Sequence, residues 1–291
     1  MAALEVARGR LEESDALRES LAGAAAAQLG AELDPGPLEV GFWPARLHLE
    51  SAVLVLSGGV RLELPPTRVE IDPMPLLRGV ASVRGLEVHG GARLRHRDGE
   101  LAGTVAARVS PAAAASAPGW VVDGEVALDS GGRLVARGSL GPGGRFAGTV
   151  EVEDVESAPF ASFLSAGGSP DGGTKLAGRY GGRLETPDVG PATLRLTSAD
   201  AVLDVPPLHV DGPVTLVAEL PIALASDPRA GRFAIDASQA DVEYAGGVAK
   251  ASGHGASLTG GIAREPDGRL RLEDVRLKVT RFEGQVQQQA E

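Results

Sequence analysis

The stretch LRLTSADAVLDVPPLHVDGPVTLVAEL, residues 194–220, sets the fold class. Leu194 and Leu196 alternate with Arg195 and Thr197, while Val214, Leu216, Ala218 and Leu220 alternate with Thr215, Val217 and Glu219. A period of two places successive side chains on opposite faces of a strand, so each run carries one apolar and one mostly polar face. Two-faced strands of this kind belong to antiparallel sheet, because strands buried in parallel sheet read as unbroken apolar runs. The Asp211-Gly212 pair between the two runs predicts a hairpin turn.

The same pattern extends outward from this stretch. Phe146, Gly148, Val150 and Val152 alternate with Ala147, Thr149, Glu151 and Glu153, and Val275, Leu277 and Val279 alternate with Arg276, Lys278 and Thr280. Asp98-Gly99, Asp123-Gly124, Gly131-Gly132, Gly143-Gly144, Gly181-Gly182 and Asp267-Gly268 punctuate the runs as further predicted turns. The chain has no Asn, which accounts for turns written Asp-Gly and Gly-Gly. Residues 110–119 (SPAAAASAPG) and 165–173 (SAGGSPDGG) have the composition of domain linkers, but strands of one style flank both and favour long loops within one continuous sheet. Only the beginning differs. Over residues 1–33, Leu11, Leu17, Leu21, Ala24, Ala25 and Leu29 approximate a 3.6 period, and Asp34-Pro35-Gly36-Pro37 stops any helix. A short helical step is expected at residues 73–77.

Composition narrows the class. Of 291 residues, 43% are hydrophobic but only 3% aromatic, so the apolar face is built of Ala, Val and Leu. Zero Cys excludes disulfides and thiolate metal sites. A net charge of -11 repels nucleic-acid phosphate. The aliphatic content is too high for a disordered chain, and no apolar run reaches the length of a membrane-spanning helix.

The search for a catalytic constellation yields none. His48, His89, His96, His209 and His254 are scattered, with no metal-ligand spacing, although His89 and His96 flank a Gly-Gly pair read as a hairpin and are expected as cross-strand neighbours. The GGTK at 172–175 is not a phosphate loop, and the GSLG around Ser139 is not a nucleophile elbow. Glu151 and Glu153 lie at i and i+2 on the polar side of a strand, where a solvated face is the simplest reading. The expectation is a protein without catalysis, cofactor or metal.

A long two-faced meander must hide its apolar side against a second sheet, by closure, or by curling around something apolar. Aromatic rings usually help to fill closed β cores, and their scarcity favours a smooth aliphatic lining. The residues expected to line it are Leu194, Leu196, Val214, Leu216, Ala218, Leu220, Phe233, Ile235, Val275, Leu277 and Val279.

Several segments carry a resemblance. LGAELDPGPLEVGFWPARLHLESAVLVL (29–56), RVEIDPMPLLRGVASVRGLEVHGGARLRHRDGEL (68–101), VEVEDVESAPFASFL (150–164) and LAGRYGGRLE (176–185) resemble AsmA-like and TamB-like proteins in their order of helix, strand, aromatic-Pro step, Pro-Leu-Leu-Arg-Gly and Gly-rich strand. The resemblance implies an all-β chain, a long antiparallel meander curled into a twisted, U-shaped (taco-like) groove behind an N-terminal amphipathic helix. It divides the chain into residues 1–34, helical, and 35–291, one continuous groove domain. It implies a phospholipid or other lipid as ligand, a role in outer-membrane biogenesis, and a periplasmic place at the inner membrane of Gram-negative bacteria. Membrane contact would come through the N-terminal region or through an anchor beyond the charged residues 1–20, with an envelope protein as a further partner and no nucleic acid. Two other readings stay open: an envelope assembly component such as the type II secretion N-like proteins, and a filled β-sandwich binding module.

Overall fold

The computed structural model describes residues 15–29, 31–42, 44–55, 60–76, 82–96, 99–112, 119–141, 145–159, 175–205, 208–220, 231–244, 248–264, 270–280 and 287–290. Strand makes up 73% of them and helix 9%, and every strand pair with a defined register is antiparallel. The chain divides into two units, Met1–Asp129 with Val135–Gly148, and Ser130–Leu134 with Thr149–Glu291.

The first unit begins with helix α1, Asp15–Leu29. Leu17, Leu21 and Ala25, spaced four apart, form one stripe and are buried. Strands β1 (Glu32–Pro35), β2 (Leu38–Phe42), β3 (Ala45–Leu49), β4 (Ala52–Val55), β5 (Arg61–Leu64) and β6 (Thr67–Ile71) follow. Helix α2 (Pro73–Leu76) then leads to β7 (Val83–His96), β8 (Gly99–Pro111), β9 (Trp120–Leu128) and most of β10 (Arg133–Leu140). The first six strands are three long strands, each broken once. β1 pairs with β4 and β4 with β5, while β2 pairs with β3 and β3 with β6. β5 and β6 both lie against β7, at its two ends. The breaks fall side by side at Gly36, Ser51 and Pro65, in line with Gly90 of β7. Gly36 N donates to Ser51 O at 3.0 Å, and Glu50 N to Pro37 O at 3.0 Å. Gly90 has φ 136°, and a Cβ there would meet the Pro65 ring at 3.0 Å. A residue without a side chain is what lets β7 stay continuous past the break.

Leu17 and Leu21 of α1 pack with Leu38, Val40, Leu47, Leu49, Ala52, Val69 and Ile71, so the helix covers the apolar side of the first strands. Strand structure resumes at Glu32, earlier than the Asp34-Pro35-Gly36-Pro37 stop. Residues 1–14, including Leu11, lie outside the described residues.

The second unit contains most of β11 (Phe146–Glu156), followed by β12 (Lys175–Ala177), β13 (Arg179–Thr186), β14 (Ala192–Val205) and β15 (Leu208–Leu220). Then come β16 (Gly231–Asp236), β17 (Asp241–Tyr244), β18 (Val248–Lys250), β19 (Gly255–Arg264), β20 (Leu270–Thr280) and β21 (Gln287–Ala290). It is broken in the same manner. β12 and β13 share β14, and β17 and β16 share β15; β18 pairs with β17, and β19 with β16. The breaks lie at Gly178, at the register shift between Ser198 and Ala201, at 237–240 and at 251–254. Gly178 has φ 114°, and a Cβ there would come within 2.7 Å of Asp200 O. Backbone and space both require glycine.

Several expected turns are not turns. Asp123-Gly124 lies inside β9, Gly181-Gly182 inside β13 and Asp211-Gly212 inside β15. Gly124 is set against the Ala107 Cβ of the neighbouring strand, a close approach that a larger residue would obstruct. β7 runs straight through Gly90-Gly91, so His89 and His96 are not cross-strand neighbours; they pair with Ala106 and Gly99 of β8. β8 extends to Pro111, so residues 110–111 of the first expected loop are strand. Residues 165–173, 267 and 143–144 lie outside the described residues.

Candidate functional site

Directly opposed residues of antiparallel strands project to the same face, so register converts the strands of the second unit into transverse rows. One row contains Leu184, Leu194, Ala218, Phe233 and Gly260, carried by β13, β14, β15, β16 and β19. The adjacent row on the same face contains Gly182, Leu196, Leu216, Ile235, Leu258 and Leu277, and extends to β20. Between these rows, on the opposite face, lie Arg183, Arg195, Val217, Ala234, Thr259 and Arg276. One face is thus aliphatic across six strands and the other predominantly polar.

Of the expected lining residues, Ala218 and Phe233 are buried and form a cluster with Leu194, Leu216, Leu220, Ile235 and Leu258. Leu277 is buried in a second cluster with Leu208, Val210, Ala237, Ala240, Val242 and Ala256, which Val214 and Val279 join. That cluster unites residues from both sides of the break. Leu196 lies in the second row and is half-buried. Val275 lies in β20 at a register shift beside Asp274, whose φ is 49°, and its side chain is outside the described residues. Leu184, Leu258, Leu203, Val210 and Val242 also belong to these rows or clusters and were not among the expected residues. The signal for Leu184 and Leu258 was present, since each sits between two polar neighbours at the strand period.

The break in the second unit contains the most unusual polar group. Lys250 is only 6% exposed. Its Nζ donates to Ala237 O at 2.8 Å, to Ser238 O at 3.1 Å and to Ala240 O. An ammonium has three donors, and here all three end on carbonyls of the segment that interrupts β16 and β17. Burial pushes the Lys250 amine below its ordinary pKa, opposed by the charges of Asp241 and Asp236. Asp236 is held below the usual carboxylate range by the Ser238 hydroxyl and then by the Ser238 N–H. Asp200 is lowered by the N–H of Arg179, 2.9 Å away, with help from Ser198. Desolvation raises Tyr180, and the charge of Asp200 adds to that effect.

The polar face of the first unit carries a transverse charge ladder. Arg68, Glu87, Arg108 and Asp123 lie in register on β6, β7, β8 and β9. Glu87 reaches Arg68 at 3.5 Å and Arg108 at 3.4 Å, and Asp123 meets Arg137 of β10 at 3.5 Å. Exposed pairs of this kind contribute little each and mark a solvated outer surface. Among the described residues no group of three His, Asp or Glu could hold a metal ion. No described helix is long and apolar enough to cross a membrane.

No family, curated protein or solved structure matches the chain in comparisons with known proteins.

Proposed function

We propose that the chain is a non-catalytic apolar-groove protein of the bacterial envelope, periplasmic and associated with the inner membrane, that binds or conducts phospholipid acyl chains in support of outer-membrane biogenesis. The observation that carries this reading is the pair of aliphatic rows across β13–β16, β19 and β20, with a polar face behind them. Leu194, Leu196, Leu216, Ile235 and Leu258 remain half-buried within these rows. Half-buried aliphatic side chains in continuous rows form a surface that gains by covering, at about 25 cal/mol per Å² of apolar area removed from water. The curl of the sheet around these rows is part of the proposal, and the cluster joining residues across the break carries the apolar face on past that break. The resemblance to AsmA-like proteins supports the reading.

Leu216→Arg tests the reading. Leu216 stands between Leu196 and Ile235 in the second row. In an open lining the guanidinium reaches water along its own stem, so the melting temperature shifts by no more than a few degrees while fluorescent-phospholipid binding is lost. Unfolding of the variant would show a filled core, because an unpaired buried charge costs several kcal/mol. Wild-type lipid binding by a folded variant would equally end the proposal, as would a purified wild-type chain that carries and takes up no lipid.

A further inference from the structure

The strands of the first unit run between two rims of opposite character. One rim contains the β2–β3 turn, the connection from β6 through α2 to β7, the β8–β9 connection and the β10–β11 turn, as pairing places Phe42 beside Ala45, Ile71 beside Val83 and Pro111 beside Trp120. Phe42, Trp43, Trp120 and Phe146 are all the aromatic residues among the first 148. Phe42, Trp120 and Phe146 are terminal residues of strands at this rim, and Trp43 follows Phe42 in the sequence. The rim also bears Met74, 69% exposed, Val121, 45% exposed, and the exposed Pro44 and Pro111. Among the described residues of its connections the one acid is Asp72, although the chain has 39. Arg84 takes up that carboxylate at 2.7 Å, and Arg145 is exposed at the same rim. The described strand ends at the opposite rim carry no Phe, Trp or Tyr.

We infer that the aromatic rim of the first unit docks on the interfacial layer of an anionic lipid bilayer. Trp is favoured at the boundary of headgroup and acyl chain, where an amphipathic ring satisfies both media. A projecting Met with Val and Pro supplies shallow apolar insertion, and the pairing of Asp72 with Arg84 together with exposed Arg145 lowers, at this rim, the repulsion that a chain of net charge -11 feels at such a surface. Three strand ends with aromatic residues at one rim and none at the other give the unit a direction: one end toward the membrane, one toward water. This inference does not depend on the groove reading.

The test uses the full chain with vesicles of phosphatidylcholine alone, or of phosphatidylcholine with about a third phosphatidylglycerol, the fraction setting the surface charge. Trp43 and Trp120 are the only two tryptophans, and Trp120 stands at this rim, so the emission is read for contact with lipid. The anionic vesicles are expected to bind the protein, shift the emission to shorter wavelength and, with brominated acyl chains, quench it. Met74→Asp with Val121→Asp is expected to weaken binding roughly tenfold. Ala127→Asp, on the same face of β9 but near the other rim, leaves binding unchanged. Leu216→Arg also docks as the wild type does, which separates rim docking from lipid uptake by the lining. Absence of vesicle binding, as for a rim that receives a protein, overturns the inference. Unquenched wild-type tryptophan overturns it whether or not the variants fold. Equal losses in Ala127→Asp and the rim variant also overturn it, as does a rim variant that binds like the wild type.

Discussion

Lys250 concentrates the physics of the break in one side chain. The segment 237–240 leaves the strand ladder, and its carbonyls at Ala237, Ser238 and Ala240 find their donor in a single ammonium. Lys250→Met keeps the apolar stem and removes the donors, so three acceptors lose a charged partner. The expected cost is about 2 kcal/mol, read as a lower urea midpoint. The pH dependence has a definite sign. Burial lowers the folded-state pKa of Lys250, so the folded state disfavours the charged form relative to the unfolded chain. Wild-type stability relative to Lys250→Met is therefore smallest below the depressed value. It rises with pH through the interval up to the ordinary lysine value of about 10.4. Urea midpoints of both proteins from neutral pH upward check this, and a difference that shrinks with rising pH would refute it. Nothing in the local sequence VAKASGHG marks Lys250 as buried, because the signal lies in carbonyls ten to thirteen residues away.

At the level of elements, the period-two signal survives folding because it depends only on which face each side chain takes. Leu194, Leu216 and Ala218 therefore lie on the face their alternation indicates. Glycine pairs carry no such information. Gly124, Gly181 and Gly182 have the composition of turns but lie in mid-strand, where the decisive fact is a cross-strand neighbour. The aligned breaks were equally invisible, since each is defined by the strands beside it. Helix α1 gives an element-scale test. Leu17 is fully buried against strands of the first unit, so Leu17→Ala is expected to cost about 2–4 kcal/mol in transfer and cavity terms. Ala26→Ser, on the exposed side of the same helix, should stay within about 0.5 kcal/mol. Denaturation followed through Trp43 and Trp120 measures both. A helix that merely rests on the sheet would show no difference between them.

At the scale of the molecule, the groove reading makes a claim about length that a filled sandwich does not. The second row crosses six strands, so its five inter-strand steps of about 4.8 Å span about 24 Å. One leaflet of a bilayer offers an acyl chain about 15 Å, half of the roughly 30 Å hydrocarbon core. A chain lying along the row is thus shorter than the surface available to it, and each added methylene continues to find aliphatic contact. Affinity in a series of single-chain alkyl phosphocholines should then rise steadily from octyl to octadecyl, by up to about 0.8 kcal/mol for each buried methylene. Binding should show a negative heat-capacity change, the mark of apolar burial. Calorimetry below each amphiphile's micelle-forming concentration reads both quantities, and Leu216→Arg, which interrupts the row midway, should flatten the series. An affinity independent of chain length in the wild type would mean that the rows are covered by the protein itself.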